Sequence, residues 1–179
     1  NRLNVKPSLV TITMKVLVLG SAAGGGFPQW NCNCSNSSQA RKNPEKAKPR
    51  TQSSIAVSVD NGDNWFLFNA SPDLRQQIND NAPLQPKKGI RHSPIIGAFI
   101  TNGDIDHIAG LLNLRESHPL SIYATKKVIS ILNSNTVFNV LNPDFVDRRE
   151  VSLNKTILLK DKSNNSTNIE VEVFPVPGK

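Results

Sequence analysis

A chain of 179 residues is long enough for one domain with a sizeable core. With 37% hydrophobic and 20% charged residues its composition is that of a soluble globular protein, and no apolar run nears the ~20 residues a membrane-spanning helix needs. The net charge of +7 could suit nucleic acid or a membrane surface. However, the basic residues gather in two stretches, Arg41 to Arg50 and Lys87 to Arg91, set among Pro, Asn and Gly without interleaved aromatics. They read as solvated loops, with an anionic small ligand as the alternative and nucleic acid excluded.

Residues 1–13 (NRLNVKPSLVTIT) lack the apolar segment and small-residue cleavage site of a secretory signal. They read as an extension, residues 14–179 as the domain proper, and the expected location is the cytoplasm. Met14 to Leu19 (MKVLVL), closed by Gly20, predicts a strand. Loops are expected over Ser21 to Asn36 and over Arg41 to Pro49. Ser54 to Asp60 alternates as SIAVSVD, Asn61-Gly62 supplies a hairpin turn, and Trp65 to Phe68 returns as a second strand. Ser71 is placed to N-cap a helix running to Asn79, with Pro72 in its first position and Asp73 at the positive end of its dipole.

After a loop over Asn81 to Ser93, the apolar strand Pro94 to Ile100 delivers the chain to Thr101. Ile108, Leu111, Leu112 and Leu114 share one face of a helix that begins near His107 and that Pro119 ends. Leu120 to Ala124 predicts a strand, and Thr125 the cap of a helix through Asn133. Thr156 to Leu159 and Ile169 to Phe174 predict further strands around the hydrophilic turn Asp161 to Asn168. Hairpin strands followed by helices interleaved with strands argue for a layered α/β domain. The closing FPVPGK begins another loop, so the chain is expected to stop before the domain is complete.

Three stretches could carry chemistry. Gly20 to Gly26 (GSAAGGG) follows a strand, as phosphate-binding turns do, but its spacing is not GxGxxG and Phe27-Pro28-Gln29-Trp30 would not start a helix. A loop that lets backbones approach closely is the preferred reading. Cys32 and Cys34 are one residue apart, where a mutual disulfide would be strained. Two thiolates could grip zinc, although a closed site needs four ligands. The third stretch is Asn102-Gly103-Asp104-Ile105-Asp106-His107, in the turn after a strand. It makes an oxygen-rich position with one imidazole, suited to iron or manganese as well as zinc. The alternative is that Asp104 and Asp106 simply cap the following helix. His92 and His118 have no paired partner in the sequence and read as surface histidines.

The 102–107 turn resembles the His-x-His-x-Asp-His metal turn of metallo-β-lactamase-like folds, with Asn102 and Asp104 in place of the early histidines and Asp106 and His107 retained. Together, GSAAGGGFPQWNCNC from Gly20, NASPDLRQQI from Asn69 and TNGDIDHIAGLLNLRE from Thr101 resemble the coenzyme PQQ synthesis protein B family in order and spacing. The terminal VPGK resembles a mid-chain segment of that family. The resemblance implies a metallo-β-lactamase-like αββα sandwich, α/β in class and incomplete at its carboxyl-terminal end. It implies a part in biosynthesis of the redox cofactor pyrroloquinoline quinone (PQQ), as an iron-dependent hydroxylase of the tyrosine in a glutamate–tyrosine precursor. The alternatives are a carrier of PQQ or its precursor towards the periplasm, and an inactive fragment. Asp106 and His107 then match metal ligands of the wider fold, with Asp104 as an added candidate. The family's structural zinc, held by Cys-x-Cys-x-x-Cys, maps to Cys32, Cys34 and Ser37, so its third thiol is replaced by a hydroxyl. Implied partners are PQQ or its precursor, other PQQ biosynthesis proteins and a second copy of the chain.

Overall fold

The computed structural model describes residues 13–177, so nearly all of the expected 1–13 extension lies outside the described residues. A six-stranded mixed sheet opens with β1 (Lys15–Gly20). Helix α1 (Ser35–Lys42) follows, then β2 (Ser54–Ser58) and β3 (Trp65–Phe68), so that β1, β2 and β3 are antiparallel neighbours. Helix α2 (Leu74–Asp80) leads to β4 (Ile95–Ile100), and the short α3 (Ile105–Ile108) leads to β5 (Leu120–Thr125). Helix α4 (Lys126–Ser134) then leads to β6 (Val146–Val151). Strands β3 to β6 run parallel, each reached by a crossover. The strands β7 (Lys155–Lys160) and β8 (Ser166–Val173) pair as a separate antiparallel hairpin.

Alternation along the strands divides the apolar residues between two faces of the large sheet. On one face Leu19, Ala56, Leu67, Ile100 and Ile122 pack beneath Leu74, Leu111, Val128 and Leu132. On the other, Val57, Phe66, Phe99 and Tyr123 meet Leu159, Ile169 and Val173 of the hairpin. Burying each large apolar side chain contributes about 1.5–3 kcal/mol, and the two cores clamp β4 and β5 from both sides. Tyr123 fastens the layers, because its hydroxyl accepts the Lys160 N–H at 2.8 Å and donates to the Lys160 carbonyl at 3.1 Å. The hairpin covers part of its face and leaves Val16 and Val18 of β1 exposed.

Several elements differ from the sequence expectation. Helix α1 overlaps the ends of the two stretches read as loop, Ser21 to Asn36 and Arg41 to Pro49, and takes in residues 37–40, to which no element is assigned from sequence; Ser37 and Ala40 are its buried residues. So polar a helix is held by tertiary contacts that composition does not announce. Helix α2 starts at Leu74, later than expected: Asp73 occupies the N-cap position without a capping bond, and Ser71 Oγ is buried without a hydrogen-bond partner. The Asp73 carboxylate is instead spent on Gln52, accepting its backbone N–H at 2.8 Å.

Asn61 and Gly62 do turn the β2–β3 connection with positive φ. The connection is nevertheless longer than a two-residue loop, and Asp60 Oδ1 gathers it by accepting the N–H groups of Asp63 and Asn64. Thr125 sits at the N-cap of α4, yet its hydroxyl makes no capping bond. The helix expected from His107 is split into α3 and a 3-10 stretch, Ala109–Leu114. Gly110 is the reason: its N–H donates to the Ala70 carbonyl at 2.8 Å rather than up the helix. Strand β6 was not expected from VDRREV, whose charges suit the sheet edge it occupies.

Candidate metal centre

The Asp/His turn lies just past Ile100, at the carboxyl-terminal end of β4, where open α/β sheets place their ligands. Its backbone is held from two directions. Asn69, at the end of β3 with φ 64°, accepts the Thr101 N–H and hydroxyl through Oδ1, both at 3.0 Å. That left-handed conformation is one asparagine tolerates. Asn102 Oδ1 accepts the Asp104 N–H at 2.9 Å, closing an Asx turn that starts α3. Further on, Ala70 donates to the His107 carbonyl at 2.8 Å and accepts from Gly110. A Cβ on Gly110 would lie 2.1 Å from the Ser71 carbonyl oxygen, so glycine is required for this docking.

With the backbone fixed this way, the side chains are left free. Asp104 occupies the N-cap position of α3 but its carboxylate makes no capping bond, which removes capping as the account of that residue. Asp106 Oδ1 lies 3.0 Å from His107 Nδ1, with both side chains a quarter exposed or less. If Nδ1 carries the proton, that bond orients the ring and leaves Nε2 with a free lone pair. Asp104, Asp106 and His107 each offer a ligand atom, all within 4.8 Å of one another. Two carboxylates and one imidazole fit a divalent transition-metal ion, iron, manganese and zinc included.

The glycine-rich loop is the neighbour of this cluster. A Cβ on Gly24 would stand 3.3 Å from Asp106 Oδ2, and Gly25 and Gly26 adopt positive φ of 91° and 74°. The three glycines serve close approach to different neighbours: Gly24 to the Asp106 carboxylate, Gly25 to the Gln29 side chain and Gly26 to the Arg50 carbonyl.

Cys32 and Cys34 lie elsewhere, on the loop entering α1, and are free thiols. Cys34 is the N-cap residue of α1, and its thiol donates to Ser37 Oγ at 3.5 Å. Once the sulfur is a thiolate the Ser37 hydroxyl can donate to it instead, and that bond, then the Ser37 backbone N–H, then the Cys32 thiol bring the pKa of the exposed Cys34 down to about 7. Among the described residues no His, Asp or Glu makes a third metal ligand beside the two thiols. Two thiols and a hydroxyl do not fit a closed structural zinc site. The loop is held instead by Arg41, which donates to the Cys32 and Gln29 carbonyls at 2.5 Å and to the Trp30 carbonyl at 3.5 Å. Composition alone placed Arg41 among solvated charge, and nothing in the sequence pairs it with those carbonyls.

His92 and His118, read as surface histidines, are half-buried and line one cavity of about 420 Å³ with Ile78, Leu84, Ile95 and Leu120. That cavity opens at the starts of β4 and β5, opposite the Asp/His turn.

Known proteins resemble this chain in sequence and fold. The family model of the beta-lactamase superfamily domain matches residues 64–179. Coenzyme PQQ synthesis protein B of Methylobacterium radiotolerans is 48% identical over 93% of this chain and 53% of its own length. Its namesake from Rhizobium meliloti is also 48% identical, over 94% of this chain and 53% of its own length. The crystal structure of Zn(2+)-bound PqqB from Methylobacterium extorquens superposes with a TM-score of 0.83 at 48% identity, covering 92% of this chain and 56% of that one. The chain thus spans about half the length of the curated relatives it matches. It belongs to the beta-lactamase superfamily, with the metallo-β-lactamase fold, and is allied by sequence along nearly its whole described length to coenzyme PQQ synthesis protein B.

Proposed function

We propose that this chain is the amino-terminal part of a cytoplasmic, metal-dependent protein of PQQ biosynthesis, and that its metal is held by Asp106 and His107 with Asp104. The observation that carries the reading is the convergence of three ligand atoms within 4.8 Å on carboxylates that no helix cap consumes. The likeness to relatives named for PQQ synthesis supports the pathway, and the zinc in one of them supports a metal. An iron ion bound there would activate dioxygen for hydroxylation of the tyrosine-derived precursor. The chain's own residues orient and enclose: Asn69 and Ala70 fix the turn, Asp106 aligns His107, and Gly24 lies beside Asp106 Oδ2.

The test has two levels. The purified chain should take up about one equivalent of Fe(II), Mn(II) or Zn(II) per molecule, and the complete protein loaded with iron should consume dioxygen with a glutamate–tyrosine dipeptide. Binding of no divalent ion would sink the metal reading. Metal uptake without oxygen consumption would sink the hydroxylase.

A carrier role for PQQ, a tricarboxylate, is favoured by one different observation, the net charge of +7. Titrating PQQ at two salt concentrations separates the readings. A carrier binds tightly at low salt and more weakly at high salt whether or not the turn holds metal; no binding at low salt removes it.

A further inference from the structure

Gln52 is buried, 7% exposed, on the segment that leads into β2, and almost every polar atom of the residue is used. Its N–H and Nε2 donate to Asp73 Oδ2 at 2.8 and 3.0 Å. Its Oε1 accepts the Gly25 N–H at 3.0 Å, and its carbonyl accepts Gln77 Nε2 at 2.8 Å. Around it the glycine loop is joined to the same segment: Ser21 and Ala22 donate to the Thr51 carbonyl, and Ser53 donates to the Ala22 carbonyl. The next residue along, Gly24, stands against Asp106, so a chain of contacts runs from Asp73 through Gln52 and Gly25 to the carboxylate.

We propose that Gln52 is a positioning residue for the metal turn: anchored on Asp73, it sets the height of the Gly24–Gly26 turn and so fixes how Asp106 is presented. Asp106 Oδ1 is paired with His107 Nδ1 at 3.0 Å, and the Gly24 backbone lies beside Oδ2, so near that an added Cβ would stand 3.3 Å from it. The loop thus bounds the space into which the carboxylate can rotate, and without the Gln52 side chain it loses the bond that seats it. Groups bonded directly to metal ligands are worth about 10–100-fold in metal affinity, and Gln52, one step further out, falls at the low end of that range. The inference rests on the reading that Asp104, Asp106 and His107 bind metal.

The experiment uses Co(II), whose visible spectrum reports the symmetry of its ligands, together with the thermal midpoint of each variant. Gln52→Met keeps the length of the side chain and removes both the acceptor for Gly25 and the side-chain donor to Asp73, while the backbone N–H still donates to Asp73. Gly24→Ala adds one methyl group at the contact with Asp106 and leaves the Gln52 bonds intact. Asp73→Asn is the conservative control, since its amide oxygen can still accept both Gln52 donors. Leu159→Ala, in the core between the sheets, supplies a loss of stability remote from the turn.

The expected result is a ~10-fold weaker Co(II) affinity and an altered spectrum for Gln52→Met and Gly24→Ala, with the wild-type spectrum kept in Asp73→Asn and Leu159→Ala. If Gln52→Met does not fold, Asp73→Ala, which removes the carboxylate that anchors Gln52, decides through the same affinity and spectrum. Wild-type affinity and spectrum in Gln52→Met, or in Asp73→Ala where Gln52→Met does not fold, would overturn the positioning role while leaving the metal reading intact. A wild-type chain that binds no Co(II) would overturn both.

Discussion

The turn at residues 101–107 and the loop at residues 27–37 are both short polar segments that present donor side chains at the start of a helix, and they are braced in opposite ways. In the turn, bracing comes from elsewhere: the Asn69 side chain and the Ala70 backbone hold the main chain, which leaves the Asp104 carboxylate and the second oxygen of Asp106 to spare. In the loop, a guanidinium gathers the carbonyls of Gln29, Trp30 and Cys32, and the donors beside it number two thiols and a hydroxyl. A metal can be added to the turn without displacing anything that holds it. In the loop, Arg41 already makes the cross-link a structural ion would make. Donor identity alone therefore does not mark a metal site; what matters is whether the donors are spare.

The largest effect expected from this contrast is on metal affinity. Removing both Asp106 and His107 as alanines should weaken Co(II) or Fe(II) binding by more than ~100-fold, since even outer partners of ligands are worth ~10–100-fold. Replacing Cys32 and Cys34 together by serine should leave that affinity unchanged. Equilibrium dialysis with metal analysis measures both, and an equal loss in the two double variants would break the distinction. Next in size is a gain. Ser37 is buried with its hydroxyl 3.5 Å from the Cys34 sulfur, so Ser37→Cys would set a third thiol beside the other two. That variant should acquire about one further equivalent of zinc, removable by chelator, and a higher thermal midpoint with zinc than without. If a chain with Asp106 and His107 replaced by alanine but its natural Ser37 still carries chelator-sensitive zinc, and loses it when Cys32 and Cys34 become serine, the loop is a metal site after all.

Much of this was legible in the residues. Strand β3 and the β2–β3 pairing follow from alternation and from Asn61-Gly62, and the turn's candidate ligands stand out as polar residues directly after an apolar strand. The remainder depended on partners far apart in the chain. Gly110 looks like an ordinary helix interruption until Ala70 and Ser71 are seen against it. Asp73 satisfies every local rule for a helix start, yet its carboxylate serves Gln52, 21 residues away. Helix α1 and strand β6 were missed because SNSSQARK and VDRREV carry little apolar periodicity, the one signal a sequence shows without its tertiary neighbours.

A smaller effect tests the clamp. Arg41→Gln removes a charged donor that reaches three carbonyls on an exposed surface, which should cost about 1 kcal/mol in chemical denaturation. Hydrogen exchange at the Cys32 amide, which donates to the Gln29 carbonyl at 3.1 Å, should quicken in the same variant. An unchanged midpoint with unchanged exchange would mean that the loop holds itself.

The smallest expected change is chemical rather than structural, and it separates a reactive thiol from a metal ligand. Only the thiolate alkylates, so the rate at Cys34 should rise with pH and level off above the pKa. Hydrogen bonds from Ser37 and from Cys32 stabilise the thiolate and hold that pKa down at about 7. In a Cys32→Ser background, which leaves Cys34 as the single thiol and keeps a hydroxyl donor at position 32, iodoacetamide labelling should therefore be half-maximal at a pH below that of a free cysteine. Adding Ser37→Ala removes the side-chain hydrogen bond that lowers the pKa most and keeps the backbone N–H, so the midpoint should move up without reaching that of a free cysteine, about 8.5. A midpoint already near 8.5 and indifferent to Ser37→Ala would show that the hydroxyl does not engage the sulfur. The geometry on which the Ser37→Cys variant depends would then be wrong as well.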